Sequence, residues 1–248
     1  KEIPNFSKSP KFKFNEKIEL NVESFSHNIN SHFKLKNINI DIKKNQKIGL
    51  IGKSGSGKST LLDLFSGVLI NDKVQINIDG KKLEKNQIAS WQKLIGLIPQ
   101  NISIINHTFK QNILFGLNEK EFDNEIVSKT VKICNLEKLV SRLPKGLEHN
   151  ISEKGSNLSG GEIQRIGIAR ALVFNPEILI FDEATSALDT FTENEILKDI
   201  NSLPDKTIVM ISHRMNTLKF CDKIYLIENG IIADVGNYEK FKDVYWNA

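Results

Sequence analysis

Three short runs in this 248-residue chain combine residue types suited to chemistry on a polyphosphate. The first is Gly52-Lys53-Ser54-Gly55-Ser56-Gly57-Lys58-Ser59-Thr60. Its glycines let the backbone curl so that successive N–H groups point inward at phosphate oxygens. A helix starting there adds unpaired N–H groups and a positive dipole end. In that pattern Lys58 reaches the β- and γ-phosphates, and the Ser59 hydroxyl ligates Mg²⁺. The second run is Ile178-Leu-Ile-Phe-Asp182-Glu183. A strand apolar on consecutive positions is buried on both faces, so Asp182 emerges at its carboxyl end, where ligands bind in open α/β sheets. That makes Asp182 the metal-side carboxylate, acting through water. The third run is Leu158-Ser159-Gly160-Gly161-Glu162. It precedes the amphipathic stretch Ile163–Phe174, so Ser159 reads as a cap and the run as a second phosphate-binding helix start. One chain rarely needs two such surfaces for one nucleotide.

The elements that must position these residues are legible at low resolution. Lys17–Val22 and Leu35–Ile42 alternate or cluster apolar residues as short strands do. Lys47–Ile51 is a buried strand feeding the loop, and Thr60–Leu69 follows with Leu61, Leu64, Phe65 and Val68 at helical spacing. Val74–Ile78 is a strand closed by the Asp79-Gly80 turn, and Leu94–Pro99 is another buried strand. From about 107 to 174 the pattern is helical, with Ile126, Thr130, Ile133 and Leu136–Val140 in period and no convincing strand. Then Ile178–Phe181, Glu193–Ile200, Thr207–Ile211 and Lys223–Ile227 alternate in the α/β manner. One α/β core is therefore expected, interrupted by a helical insertion that ends at the Ser159 run.

Composition is that of a globular protein, 40% hydrophobic and 26% charged. No apolar run approaches the roughly 18–20 residues that span a bilayer, and no secretory signal opens the chain. The net charge of +4 is spread among acids rather than gathered on one stripe, so no nucleic acid partner is expected. Residues 1–16 read as a linker; Lys8, Lys11 and Lys13 there, with Lys17, would suit the cytoplasmic face of a membrane. The chain starts at Lys1 and reads as a piece of something longer. Cys134 and Cys221 have no metal-like spacing and are read as free thiols.

Taken in order, loop, signature and acidic strand resemble the nucleotide-binding domain of an ATP-binding-cassette (ABC) transporter, over nearly the whole chain after the linker. The resemblance implies an α/β, ABC-type P-loop ATPase core in residues 17–248. It carries an N-terminal antiparallel β subdomain and an inserted α-helical subdomain at about 107–174. It implies ATP and Mg²⁺ as cofactors and a head-to-tail dimer with a second copy. In that dimer Ser159, Gly160, Gly161 and Glu162 close over the partner's ATP, with Ser159 and Gly161 at its γ-phosphate. Glu183 would orient and activate the attacking water. Gln100 would sense the metal and contact a membrane domain. Ser186-Ala-Leu-Asp189 would cross the dimer interface, and His213 would touch the γ-phosphate. An aromatic that stacks on adenine falls at His27, with Phe25 and Phe33 as substitutes. Two departures stand out. The family usually has Gln at position 162, where Glu162 needs the ribose or Arg165 to absorb its charge, and Val74 occupies a place where glycine is usual.

The run from Gln100 to Gly116 and the stretch Ile151–Gly155 look like exporters, in which a transmembrane domain of the same transporter is the partner. Trp91-Gln92 and Cys221-Asp222-Lys223 look most like lipid-linked oligosaccharide or polysaccharide flippases. The expectation is an ATPase at the cytoplasmic face of the cell membrane. The competing readings are a soluble ABC ATPase acting on nucleic acid and a nucleotide-occupancy switch with little turnover.

Overall fold

The computed structural model describes residues 14–27, 34–118, 121–152, 157–186 and 188–242. Most of the expected linker, Phe33 and residues 153–155 lie outside them. The described chain divides into two compact units. The first takes the residues up to Ile95, Glu177–Asp182 and those from Asp205 on; the second takes Gly96–Pro176 and Glu183–Pro204.

The first unit holds two sheets. Strands β1 (Lys17–Phe25), β2 (Leu35–Lys43), β4 (Val74–Ile78) and β5 (Lys81–Lys82) form an antiparallel sheet in the order β2-β1-β4-β5. Its register pairs Ile18 with Ile42 and Ile78, and Leu20 with Ile40 and Ile76. Period-two alternation thus buries Ile18, Leu20 and Val22 of β1 and Ile38, Ile40 and Ile42 of β2, while the paired Phe25 and Leu35 at the strand ends fall out of that phase. At the Asp79-Gly80 turn both residues have positive φ, 50° and 77°, as a two-residue hairpin requires. The Asp79 carboxylate then accepts the backbone N–H groups of Asn15, Glu16 and Lys17.

The second sheet runs β12 (Ile231–Gly236), β11 (Lys223–Glu228), β3 (Lys47–Ile51), β10 (Thr207–Ile211), β9 (Ile178–Asp182), with Ile95, the first residue of β6 (Ile95–Ile98), beyond β9. β11, β3, β10 and β9 are parallel, and β12 returns antiparallel. Residues 48–51, 178–181 and 207–211 are all buried, which is why these strands read as continuous apolar runs. The return strand β12 was not anticipated, although Asn229-Gly230, with φ 49° and 78°, is the strongest short hairpin signal a sequence offers.

Helix α1 (Lys58–Phe65) follows the phosphate loop and is shorter than expected. Gly67 takes φ 71° and ends it, so Val68 is exposed rather than part of the buried stripe Leu61, Leu64, Phe65. Helix α2 (Ile88–Gln92) lays Trp91 on that end. Trp91 is fully buried, its Nε1–H donates to Phe65 O at 2.8 Å, and the two rings meet edge to face at 5.5 Å. A four-residue helix, α8 (Tyr238–Phe241), completes the described part of the unit.

The second unit is mainly helical: α3 (Phe109–Ile113), α4 (Asn124–Ile133), α5 (Glu137–Arg142), α6 (Gly160–Leu172) and α7 (Thr190–Asn201). Two two-residue strands, β7 (His107–Thr108) and β8 (Asn150–Ile151), pair antiparallel there; they are too short to leave a period in the sequence. The buried face of α4 is Val127, Thr130 and Val131, while the expected Ile126 and Ile133 are 39% and 42% exposed. Thr130 turns inward at no polar cost because its hydroxyl donates to Ile126 O at 2.9 Å. Cys134 and Cys221 are buried free thiols, pushed up to about 12 by burial.

Trp91→Ala should destabilise the chain by about 3–5 kcal/mol, read as a lower urea midpoint. Trp91→Phe, which keeps the ring but strands Phe65 O, should cost about 1–3 kcal/mol.

Candidate functional site

Parallel register gathers the first set of residues. Ile211 pairs with Leu50 on one side and Asp182 on the other, so β3, β10 and β9 end together. The phosphate loop leaves β3, Asp182 closes β9, and His213 follows β10 at the same edge. The loop is built by its glycines. Gly52, at φ 150°, has room for no side chain, since a Cβ there would sit 2.1 Å from Ile227 O. Gly55, at φ 77°, faces open space, and Gly57, at φ 107°, caps α1. Lys58 is buried, and its ammonium donates to Gly52 O at 2.8 Å and Lys53 O at 3.0 Å. Its charge is thereby held over the loop. Ser56 Oγ is buried without a hydrogen-bond partner. Beside the loop a cleft of 360 Å³ is lined by Lys53–Ser56, Glu228 and Asn229. A larger one, 560 Å³, lies along the end of α1 and the β4–β5 hairpin and contains none of the expected site residues.

Ser59 Oγ donates to Asp182 Oδ1 at 3.2 Å. Two hard oxygens side by side are the donor type Mg²⁺ takes, with Ser59 Oγ as a direct ligand and Asp182 acting through water. Among the described residues there is no cluster of three His, Cys, Asp or Glu able to hold a metal. His27 is exposed, with Nε2 3.2 Å from Thr60 Oγ1, and its ring meets Phe25 edge to face at 5.2 Å. Phe25 is buried behind it, leaving the imidazole as the exposed ring of the pair. Ser212 Oγ accepts the Arg214 N–H at 2.9 Å and donates to Arg214 O, a tight turn that leaves His213 exposed.

The second unit assembles the other set. Glu183 takes φ 51°, a left-handed backbone rare for a residue with a side chain and characteristic of functional turns. Its carboxylate therefore does not continue the direction of Asp182. Gln100 Nε2 donates to Glu183 Oε2 at 3.2 Å and lies 3.5 Å from Ser186 Oγ. Asp189 caps α7 through the N–H groups of Phe191 and Thr192. The Thr192 donation holds its carboxyl below the ordinary 3.8, so the charged cap is complete above that value and is lost as pH falls through the lowered one.

Ser159 caps α6 in a reciprocal box: its Oγ accepts the Glu162 N–H, and its own N–H donates to Glu162 Oε2 at 2.8 Å. Gly161 packs closely against α7: a Cβ there would lie 2.7 Å from Thr192 Cγ2, which would have to shift. Arg165 is not the partner of Glu162. It donates to Asp199 at 2.6 Å and to Cys134 O at 3.1 Å, and Arg142 bonds Glu162 Oε1 instead. Sequence reasoning also missed Asn112. This fully buried amide binds Ile105 N–H and the Ile105 and Thr108 carbonyls, and Arg170 of α6 binds it in turn.

The profile of a family described as ABC transporter matches residues 35–186. An ATP-dependent lipid A-core flippase of Aliivibrio fischeri is 37% identical over 205 residues, 82% of this chain and 35% of that protein. A putative multidrug export ATP-binding/permease protein of Staphylococcus aureus is 38% identical over 225 residues, 90% of this chain and 39% of that protein. Among solved structures, a bacterial Atm1-family ABC exporter with ATP bound superposes with a TM-score of 0.84 at 30% identity, covering 97% of this chain and 43% of that one. The chain thus spans less than half the length of these relatives.

Lys58→Ala should weaken nucleoside triphosphate binding at least about tenfold, the scale of one charge-assisted hydrogen bond, as read by nucleotide titration of the folded variant.

Proposed function

The chain belongs to the ABC transporter family, and from that premise we propose that it is the ATP-binding and ATP-hydrolysing domain of an exporter or flippase, working as a head-to-tail pair with two ATP at the interface. The observation that carries this reading is the Ser59–Asp182 contact beside the Lys58-bearing loop, together with a capped anion-binding helix start at Ser159 in the same chain. A phosphate loop whose Gly55 faces open space leaves the nucleotide one side for a partner surface. Ser159, Gly160 and Gly161 of a second copy supply backbone N–H groups and a positive helix end to it. Phe191, 73% exposed just after the Asp189 cap, offers apolar area for the same contact.

In this reading Lys58 and the loop N–H groups bind the phosphates; Ser59, and Asp182 through water, would hold Mg²⁺, which when bound would supply positive charge to the phosphoryl group. Glu183 orients and accepts a proton from the attacking water, and Gln100, bonded to Glu183, positions it. His213 donates to the γ-phosphate, and His27 stacks on the base. The transmembrane partner belongs to the rest of the longer protein, and Gln100 is where closure is passed to it. In this reading the domain works at the cytoplasmic face of a membrane. Among the described residues no helix is long and apolar enough to cross one. The narrower lipid-linked glycan reading gains support from the flippase relative. It rests on Trp91-Gln92 and Cys221-Asp222-Lys223, of which Trp91 and Cys221 are buried.

The test is Mg-ATP hydrolysis against protein concentration, with Glu183→Gln as control. The specific rate should climb with concentration, and the variant should lose at least about a hundredfold, the usual contribution of a positioned base. A flat rate insensitive to Glu183→Gln would sink the reading. ATP binding without turnover would favour an occupancy switch, and a salt-sensitive DNA interaction a nucleic-acid ATPase.

A further inference from the structure

A carboxylate at an anion-binding helix start is a problem that this chain has to solve. The cap at Ser159 needs one acceptor from position 162, and Glu162 Oε2 supplies it by accepting the Ser159 N–H at 2.8 Å. The other oxygen, Oε1, is surplus to the cap and carries negative charge at the N-terminus of α6, where the proposed function seats the partner's triphosphate. An unscreened carboxylate there would compete with the phosphate for the same N–H groups and helix dipole.

The cation that meets Oε1 is Arg142, the last residue of α5, through Nη2. The other arginine near in sequence, Arg165, is committed to Asp199 and Cys134 O. The Glu162 side chain is 20% exposed and that of Arg142 57%, so the pair sits at the surface with the carboxylate beneath the guanidinium. One Arg142 N–H group is used on Oε1; the guanidinium carries five N–H donors in a rigid fork, matched to phosphate as well as to carboxylate.

We propose that Arg142 is a positioning residue for ATP hydrolysis: it covers Glu162 Oε1, cancels the charge of the signature helix start, and turns that corner from an anion-repelling into an anion-accepting surface. This rests on the proposed function, since it needs a triphosphate to arrive at α6. Position 142 is not part of the Leu158–Glu162 run, lies 20 residues before Glu162, and belongs to no motif the sequence presents. It becomes relevant only once α5 ends beside the start of α6.

The experiment is a double-mutant cycle on the 248-residue chain: wild type, Arg142→Met, Glu162→Gln and the double variant, each assayed for kcat and KM for Mg-ATP and for unfolding midpoint. Arg142→Met should raise KM about fivefold, the scale of one exposed ion pair. In the Glu162→Gln background the same change should cost less than about twofold, because no charge remains to be covered. Arg142→Lys, which keeps the charge, should retain most of the wild-type behaviour, and the unfolding midpoints should stay together. An equal loss in both backgrounds would make Arg142 a structural residue and overturn the proposal, as would a silent Arg142→Met. Hydrolysis that still falls with Glu183→Gln while Arg142→Met is silent removes only the role of Arg142. Hydrolysis indifferent to Glu183→Gln removes the proposed function and this inference with it.

Discussion

Parallel pairing of β3, β10 and β9 is the constraint on which the phosphate end of the first unit depends. Ile211 sits between Leu50 and Asp182 in register, so three chain segments far apart in sequence reach the same sheet edge together. A one-residue slip of β9 would turn Asp182 to the opposite face and separate it from Ser59, 3.2 Å away. The strands can hold that register because they are apolar on both faces, and packing from above and below penalises any shift. The loop after β3 then has one backbone solution, since Gly52 has the Ile227 carbonyl behind it. Lys58 is tethered to the loop carbonyls, so its charge is placed before any ligand arrives.

The second unit uses a different physical device, the side-chain helix cap, reciprocal at Ser159 and Thr108. Ser159 with Glu162, Thr108 with Gln111, and Asp189 with Phe191 and Thr192 each satisfy N–H groups at a helix start. These caps fix where α6, α3 and α7 begin, and all three lie in sequence runs that carry the family resemblance. Gly161 ties two of them together, because Thr192 occupies the space a side chain would need. Glu183 completes the arrangement with a left-handed backbone, its carboxylate accepting a hydrogen bond from Gln100. The Glu162–Arg142 pair shows the same economy: one oxygen serves the cap and the other is covered by a cation.

Much of this was legible in the sequence. The spans Val74–Ile78 and Thr207–Ile211 match the structure residue for residue, because a strict alternation in the first and a short apolar run in the second are each bounded by turn residues. Helix ends were less legible. α1 stops at Phe65 because Gly67 adopts positive φ, whereas the apolar spacing runs on to Val68. The α4 stripe was misjudged because Ile126 and Val127 compete for the interior, and a threonine settled the choice by bonding its own helix. β12 carries Ile231, Ile232 and Val235, but in no strict alternation and with every residue exposed or half-buried, so its Asn-Gly turn is the clearest signal of it.

By itself, the sequence determined the local chemistry: a glycine loop with Lys58 and Ser59, a buried strand ending in Asp182, a capped helix start at Ser159, and through them the family. Each of these is encoded in consecutive residues, where backbone freedom, capping and burial act over a few positions. The tertiary structure decided the partners across distance. It put Ser59 against Asp182, Gln100 against Glu183, Arg165 on Asp199 and Arg142 on Glu162. Those pairings depend on which elements pack together and in what register, and side-chain type alone carries no record of that. An arginine reads the same in any helix; only the place where α5 ends makes this one a counter-charge.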